Sequence, residues 1–480
     1  MVIGWRSEAP LCRRRRASTE RRHARVLADA ALRRRDLASA MLSNGAARAA
    51  SVLTPVLTVP FVAKALGPTQ YGVYILVSAV AAMLPVAELG LSLGLMSGLT
   101  RMGDASQATQ RRSLVSSAFA MQLAVGALVV LVVFGVSLAS SWSAILGIPS
   151  RSVSSTDVDT SMLVVAACFA ASLPGTLIYK VALGMGRASQ QAVWQLAQFP
   201  LILLAVATTS LMHGSLVAFV AAVYVPPVVL GIAISLWQYH GQQAELRPTV
   251  RSARRMDVRR LLGYGLSFTV SGLAAAIAFQ TDAIVLSHLR GTSVAAVYGV
   301  AYRVGAVAVI MAQGLCVPLW PMFGRLLAAR DVDGVMRLLR TSTLAAVAAG
   351  GAFAIGFVAF GKEVVRLWVG RQYVPPSSLL LALALWAVVQ AAAIPVLVLI
   401  TSAGTRLFGT RLFVVVTTAS MAATNLVLSI FLVRVCGIAG PAIASVVTYT
   451  AAVLVPSLLY GPRVAYRASL VDETRSAESS

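Results

Sequence analysis

Long apolar segments recur along the chain and are separated by short polar or basic connections. Most run for about 20 residues, the length that crosses the hydrocarbon core of a bilayer as an α-helix. The alternating ten-residue pattern of transmembrane β-strands does not occur. The pattern therefore predicts an all-α polytopic membrane protein with about twelve transmembrane helices. The predicted spans are 44–65, 71–97, 114–138, 160–182, 191–211, 214–237, 262–286, 295–319, 342–360, 378–401, 409–433 and 438–460.

Two tight turns and two prolines indicate that the chain is an internal repeat. Gly67 and Gly291 each lie in the short connection between two predicted spans, and they are 224 residues apart. With Pro68-Thr69-Gln70, the first glycine predicts a reversal over residues 67–70. Pro174 and Pro395 lie inside later spans, 221 residues apart. Nearly equal offsets predict two six-helix bundles related by a pseudo-two-fold axis along the membrane normal.

The longest predicted cytoplasmic connection divides the spans into six and six. The predicted organisation is a basic tail at 1–41, an N-terminal bundle at 42–239, a linker at 240–261, a C-terminal bundle at 262–462 and a second tail at 463–480. The first tail lacks the apolar core of a signal peptide. It is interpreted either as a disordered basic arm on anionic lipid headgroups or as a segment before a translation start at Met41.

Charge orients the predicted spans. The net charge is +23, but the cations lie between apolar runs, so a nucleic-acid partner is not indicated. If the N-terminus is cytoplasmic, thirty Lys and Arg fall inside and seven fall outside, and nineteen remain inside without the first tail. This bias predicts a multi-pass protein of the bacterial inner membrane with both termini in the cytoplasm.

Catalytic and metal-binding patterns are missing from the sequence. The four cysteines and four histidines show no metal-ligand spacing, and no P-loop motif occurs. The longest predicted outer loop, 139–159, has neither a histidine nor paired glutamates. The chain is therefore predicted not to be an enzyme and to bind no cofactor. An envelope polysaccharide polymerase or ligase stays open as an alternative.

Two segments resemble a known family. The first carries an LG-x-x-x-YG-x-Y turn and an E-LG-L segment, and the second carries an Asp, a Gly turn and Tyr-x-x-Ala-x-Arg. The residues are Leu66, Gly67, Tyr71, Gly72, Tyr74, Glu88, Leu89, Gly90, Leu91 and Arg101, then Asp282, Gly291, Tyr298, Ala301 and Arg303. Over residues 42–462 the chain is similar to Wzx-type oligosaccharide flippases of the multidrug/oligosaccharidyl-lipid/polysaccharide exporter superfamily.

The resemblance implies a substrate and a mechanism. The substrate is an undecaprenyl-pyrophosphate-linked oligosaccharide, carried across the inner membrane through a cavity between the two bundles. Either H+ or Na+ is the implied coupling ion. Membrane lipids, a polysaccharide polymerase and a chain-length regulator are the expected partners. A cation-coupled multidrug exporter of the same superfamily is the alternative within the transporter class.

Charged side chains inside the predicted spans are the first site candidates, because such a charge faces a cavity or a partner. Arg303 lies about nine residues, or roughly 13 Å, into the eighth span. It is predicted to line the cavity and bind the pyrophosphate or an acidic sugar, or else to pair with Asp282. Asp282 is interpreted as a coupling site for H+ or Na+, or as that structural partner.

The other in-span charges have two interpretations each. Lys180 either anchors the membrane interface or contacts the substrate phosphate, and Arg48 either anchors the interface or has a role in the cavity. Glu88 follows Pro85 and is expected to pair with Arg101, Arg111 or Arg112, or with helix-end amides, and so to fix a kink or gate. A direct coupling role for Glu88 is the alternative.

Uncharged polar and aromatic residues complete the candidate set. Tyr302 and Gln313 are eleven residues apart and so share a face of the eighth span. Both are candidates for the substrate cavity. Asn425 is isolated in an apolar span and is expected to join helices by hydrogen bonds. Trp368 lies near a span end, which favours the interfacial aromatic belt.

Overall fold

The computed structural model describes residues 46–47, 49–51, 53–102, 108–149, 153–316, 318–403 and 408–477. Ten helices in these ranges are long and apolar enough to cross a membrane. Two of them are long enough for two crossings, Ala49–Glu88 and Leu412–Arg467. Each holds a glycine in the left-handed region, Gly67 (φ 71°) and Gly437 (φ 62°). Division at these glycines gives twelve segments, so the predicted all-α membrane fold is confirmed.

The helices form two lobes. In the N lobe, α1 and α2 lie on either side of Gly67 within the helical residues 53–83, and a 3-10 turn follows at Leu84–Glu88. The remaining N-lobe helices are α3 (Leu91–Arg101), α4 (Ala108–Ala139), α5 (Trp142–Ile145), α6 (Ser155–Gly184), α7 (Ala188–Leu211) and α8 (Leu216–His240). The linker contains 3-10 turns at Ala244–Leu246 and Val250–Ser252.

The C lobe begins where the linker ends. Its helices are α9 (Arg255–Arg290), α10 (Thr292–Cys316), α11 (Leu319–Ala328), α12 (Val332–Trp368), α13 (Ser377–Ala403), α14 (Phe408–Cys436), α15 (Gly440–Tyr449) and α16 (Val455–Ala477). Short 3-10 turns lie at Arg371–Tyr373 and Gly437–Ala439, and a π-helical turn lies at Thr450–Leu454. The last helix continues to Ala477, through most of the segment predicted as a tail.

The backbone repeats the pattern of the sequence. Three left-handed positions of the N lobe recur in the C lobe, 223 or 224 residues later. The pairs are Gly67 with Gly291, Gly147 with Gly370, and His213 with Gly437. Only the first pair was used to predict the repeat. Because a left-handed residue fixes where a helical chain turns, equal spacing of these positions gives the two lobes the same order of turns.

Each lobe is built around a helix with an internal proline. Pro174 lies in α6, which packs against α3, α4 and α8, and Pro395 lies in α13, which packs against α10, α12 and α15. An internal proline interrupts the backbone hydrogen bonds of a helix. Beside Pro174, the Ser235 hydroxyl of α8 donates to the Gly175 carbonyl, 2.7 Å away, in the buried interior. The central helix is thereby joined to its neighbour at the kink.

The lobes contact each other where Gly67 and Gly291 reverse the chain, here called the turn end. A Cβ atom added to Gly72 in α2 would lie 2.0 Å from the Thr292 carbonyl oxygen of α10. The Ser287 hydroxyl of α9 donates to the Gly147 carbonyl at 3.0 Å. The absence of a side chain at Gly72 therefore permits direct backbone packing between the lobes.

The opposite end, here called the linker end, is held by serines of α4. The Ser116 and Ser117 hydroxyls accept from the backbone amides of Thr249 and Arg254, at 3.1 and 2.9 Å. The Ser113 hydroxyl donates to the Asp257 carboxylate at 2.6 Å, with both side chains buried. The linker is therefore bound to the N lobe along its length rather than hanging free between the lobes.

Gly72→Ala is expected to destabilise the protein by about 2 kcal/mol, because its Cβ meets backbone that cannot rotate away. The matched control is Gly351→Ala in α12, where nothing lies within 4 Å of the added Cβ. Helix propensity alone should leave that variant unchanged or more stable by up to about 1 kcal/mol. Thermal unfolding in detergent compares the two. Equal melting temperatures would contradict the packing argument.

Candidate functional site

Arg303 connects the two lobes. It lies eleven residues after Thr292 in α10, about 16 Å along the helix, and its side chain is half-buried. Its Nη1 donates to the Tyr71 hydroxyl at 2.8 Å. Its Cζ lies 5.9 Å from the centre of the Tyr71 ring and 5.8 Å from that of Tyr74. Both tyrosines belong to α2, so a cation of the C lobe is held by aromatic residues of the N lobe.

No carboxylate among the described side chains forms an ion pair with Arg303. The one ion pair in the described ranges joins Arg366 and Glu363 on the exposed surface of α12, at 3.4 Å. A guanidinium held by π faces and one phenol keeps its full positive charge and has further N–H donors. The arrangement can therefore bind an anion at this depth.

The predicted ion pair between Asp282 and Arg303 is not formed. The Asp282 carboxylate instead accepts from the Tyr298 hydroxyl at 3.0 Å. Tyr298 and Arg303 are five residues apart in α10, which places their side chains about 140° apart around the helix axis. Since Tyr298 faces Asp282, Arg303 faces α2.

Asp282 lies in a buried polar cluster of the C lobe, with 1% of its surface exposed. Besides Tyr298, its carboxylate accepts from the hydroxyls of Ser429 (3.2 Å) and Ser445 (3.5 Å). The Asn425 amide contacts Ser445 at 3.0 Å, which confirms its predicted role between helices. The ring of oxygens comes from α9, α10, α14 and α15 and contains no basic group. Such a carboxylate can hold a proton or a small hard cation such as Na+.

Glu88 lies where the helix breaks, and of its predicted partners Arg111 and Arg112 bond elsewhere. Its carboxylate accepts from the Ser92 hydroxyl and from Gln122 Nε2, the latter at 2.9 Å. Arg111 donates to the Met102 carbonyl instead. The expected kink is present. The 3-10 turn Leu84–Glu88 is followed by two left-handed residues, Leu89 (φ 54°) and Gly90 (φ 67°), before α3 begins.

The remaining candidates that the structure describes have surroundings other than the aromatic contacts of Arg303. Lys180 is half-buried near the end of α6, and no ion-pair partner for it occurs among the described side chains. Tyr302 packs against Trp386 inside the C lobe, with ring centres 5.2 Å apart. Gln313 lies ten residues beyond Arg303, about 15 Å along α10, and is exposed. Arg48 lies outside the described residues. The roles of these four stay predictions.

A cluster at the turn end was missed by the sequence analysis. The Tyr373 hydroxyl donates to the Ala63 carbonyl at 2.7 Å, and its ring meets Tyr71 edge-on at 5.6 Å between centres. Trp368, expected in the interfacial belt, donates from Nε1 to the Val56 carbonyl at 3.1 Å. We call Arg303, Tyr71, Tyr74, Trp368 and Tyr373 the turn-end cluster. The i, i+3 spacing of Tyr71 and Tyr74 indicates in the sequence that both side chains share one helix face. No comparable spacing marks Tyr373, the C-lobe residue that packs against them.

A surface cavity of about 480 Å³ adjoins this cluster. Pro68, Arg290, Ser293 and Gln372 are among its lining residues, and Arg303 is not. The cavity therefore lies beside the lobe contact and does not contain the inter-lobe cation.

A family model described as polysaccharide biosynthesis protein matches residues 37–327. The matched range includes Glu88, Lys180, Asp282 and Arg303. The chain belongs to the polysaccharide biosynthesis protein family. No curated protein sequence matches the chain.

Solved transporters share the fold of this member of the polysaccharide biosynthesis protein family. An inward-facing multidrug-resistance MATE family transporter of the MOP superfamily has a TM-score of 0.75 at 16% identity, covering 88% of this chain and 96% of its own. An outward-facing one has a TM-score of 0.64 at 15% identity, covering 91% and 96%. A MOP superfamily transporter from Pyrococcus furiosus, described as having a binding pocket of reverse polarity, has a TM-score of 0.63 at 15% identity, covering 91% of this chain and 96% of its own. Family membership and the shared fold show a multi-pass membrane protein with the architecture of these transporters.

Proposed function

We propose that the protein is a flippase that carries undecaprenyl-pyrophosphate-linked oligosaccharides across the bacterial inner membrane. The observation that supports this most directly is Arg303, a cation between the lobes that has no carboxylate partner in the part of the chain that the structure describes. Transporters of this architecture bind substrate between their halves, which move to give alternating access. Arg303 is therefore placed to bind the pyrophosphate.

The charge arrangement favours an anionic substrate over a cationic drug. Both in-span acids are occupied by neutral donors, Asp282 by hydroxyls and Glu88 by Ser92 and Gln122. The cations Arg303 and Lys180 have no acidic partner in the described structure. A cavity for cationic drugs needs available carboxylates, whereas this chain offers available cations.

Asp282 is the coupling site in this proposal, with either H+ or Na+ as the ion. It is the most buried carboxylate of the C lobe among those described, and it is surrounded by oxygen ligands. Tyr298, which binds Asp282, lies one helical turn from Tyr302, and their rings stack at 6.0 Å. Tyr302 is the residue before Arg303. Binding or release of the coupling ion at Asp282 is therefore connected to Arg303 through the packed side chains of Tyr298 and Tyr302 on α10.

The linker end is cytoplasmic in this proposal, because the linker and its six arginines follow the positive-inside rule. Both termini are then cytoplasmic, and the turn end faces outward. The translocated oligosaccharide becomes part of a surface polysaccharide, which is O-antigen, capsule or exopolysaccharide. A polymerase and a chain-length regulator act on it afterwards. The lobes of this proposal are the two predicted bundles, 42–239 and 262–462, and the helices α9 and α16 extend the second one to Arg255 and Ala477.

Deletion of the gene tests this function. We expect loss of surface polysaccharide and accumulation of complete repeat units on the lipid carrier at the cytoplasmic face. The measurement is mass spectrometry of extracted lipid-linked oligosaccharide, combined with protection from an added glycosidase in sealed spheroplasts. Accumulation of single repeat units at the outer face would instead identify a polymerase or ligase. Intact polysaccharide with altered drug sensitivity would favour the multidrug exporter.

A further inference from the structure

The turn-end cluster joins the inter-lobe cation to the contact that closes this end of the protein. From Arg303 the contacts lead to Tyr71, from the Tyr71 ring to Tyr373, and from the Tyr373 hydroxyl to Ala63 in α1. Tyr71 and Tyr373 have no exposed surface. These side chains alternate between the lobes, so the lobes cannot part at the turn end without breaking this series.

We propose that Tyr71 is a positioning residue that occupies Arg303 until a diphosphate displaces it, and that this displacement releases the turn end. The inference rests on the proposed function, since it takes the lipid-linked diphosphate as the anion. Opening of the turn end therefore depends on substrate. When the site is empty, the Arg303 guanidinium binds Tyr71 and keeps the two lobes in contact. When substrate is bound, the guanidinium binds the diphosphate instead.

The relative strength of the two hydrogen bonds gives the direction of the exchange. A phenol hydroxyl is a neutral acceptor, whereas diphosphate oxygens are anionic and can accept two parallel bonds from a guanidinium. Charge-assisted bonds of this kind are roughly twice as strong as neutral ones. Arg303 therefore exchanges Tyr71 for the diphosphate when both are within reach.

Release of Tyr71 weakens the next contact in the series. The Tyr71 ring lies edge-on against Tyr373, which also bonds to Ala63. A ligand shifts a conformational equilibrium only by binding one state better than the other. The parallel pair of bonds from Nη1 and Nη2 of Arg303 to the diphosphate needs the Nη1 that Tyr71 holds. This pair forms only after Tyr71 has left, so it supplies that difference in affinity.

The test uses a reporter cysteine under the closed contact. Val59 has no exposed surface and lies on the α1 face that carries Val56 and Ala63. The four native cysteines are replaced in the full chain, and Val59→Cys is then introduced as the one reactive thiol. The protein is placed in nanodiscs. The rate at which a water-soluble maleimide modifies this thiol measures opening of the turn end. The probes are undecaprenyl diphosphate and, as an uncharged control, undecaprenol.

Diphosphate is expected to raise the labelling rate about tenfold, and undecaprenol is expected to leave it unchanged. Tyr71→Phe removes only the hydroxyl and should label about tenfold faster without lipid, with little further response to diphosphate. The matched control is Tyr239→Phe, because the Tyr239 hydroxyl is buried with no partner at the linker end. That variant should label like the parent.

Labelling of Tyr71→Phe at the parental rate without lipid would overturn the proposal. Tyr373→Phe is a second variant, which loses the bond to Ala63 but keeps Tyr71 on Arg303. It should open more readily and still respond to diphosphate. Fast labelling of Tyr71→Phe, with a parent protein insensitive to diphosphate, would reject the lipid-diphosphate substrate and leave the tyrosine contact as a lock of the turn end.

Discussion

Arg303→Ala is expected to abolish translocation, with at least a 100-fold loss of rate, while the protein accumulates normally in the membrane. Two charge-assisted hydrogen bonds to a diphosphate contribute roughly 3 kcal/mol or more, which corresponds to a loss of this size. Since no described carboxylate pairs with Arg303, removal of its charge leaves no second charge unpaired among the described residues. The variant should therefore fold, and its defect should be one of function.

Arg303→Lys separates charge from geometry. Lysine keeps the cation but lacks the planar fork that binds two oxygens in parallel, so only a small fraction of the activity should return. The matched control is Arg366→Ala, which breaks an exposed ion pair and should have no effect. Complementation of the deletion strain, with surface polysaccharide and membrane protein level measured together, checks all three. Full rescue by Arg303→Ala would remove Arg303 from the substrate site.

The sequence was sufficient to predict the fold because a bilayer leaves few solutions. Twenty apolar residues must form a helix that satisfies its own backbone, and the repeat offset then fixes two similar lobes. The turns at Gly67 and Gly291 were found because their function is local. His213 and Gly147 were missed, since a left-handed histidine or an isolated loop glycine has no distinctive local pattern.

The site could be predicted only in part, because its contacts cross the lobes. The depth of Arg303 follows from counting residues along one helix. Its partner Tyr71 is 232 residues away, and Tyr373 meets Ala63 across 310. Asp282 was predicted as the partner of Arg303 because it is the nearest opposite charge along the sequence. The two do not meet, because Arg303 and the Asp282 side chain lie on different sides of α10. Pairings of this kind depend on how two helices face each other, which a single sequence does not contain.

The same reason explains why Glu88 pairs with neither Arg111 nor Arg112. Nearby arginines were the natural electrostatic partners, yet Arg112 donates to the carbonyl of Arg247 in the linker. Gln122, the observed partner, lies two turns or more beyond those arginines in α4. Backbone carbonyls near the linker end compete with the Glu88 carboxylate for the guanidinium groups. The hydrophobic pattern of the sequence cannot predict which acceptor an arginine binds.

Asp282→Asn is expected to remove the link between an ion gradient and transport without unfolding the protein. The amide keeps an acceptor oxygen for Tyr298 or Ser429, and a neutral side chain is less costly to bury than a carboxylate. If one ion accompanies each substrate, a tenfold gradient supplies about 1.4 kcal/mol and can bias the lipid tenfold across the membrane. The variant should equilibrate the lipid evenly.

Proteoliposomes with an imposed gradient of either H+ or Na+ measure this bias as the fraction of lipid-linked oligosaccharide in the outer leaflet. The gradient that biases the wild-type protein identifies the ion. Ser429→Ala is the matched variant, because it removes one hydrogen bond from the cluster but leaves the carboxylate in place. It should slow transport by no more than about tenfold and keep the bias. Gradient-driven accumulation by Asp282→Asn equal to that of the wild type would show that coupling occurs elsewhere, because an amide cannot exchange a proton or balance the charge of Na+.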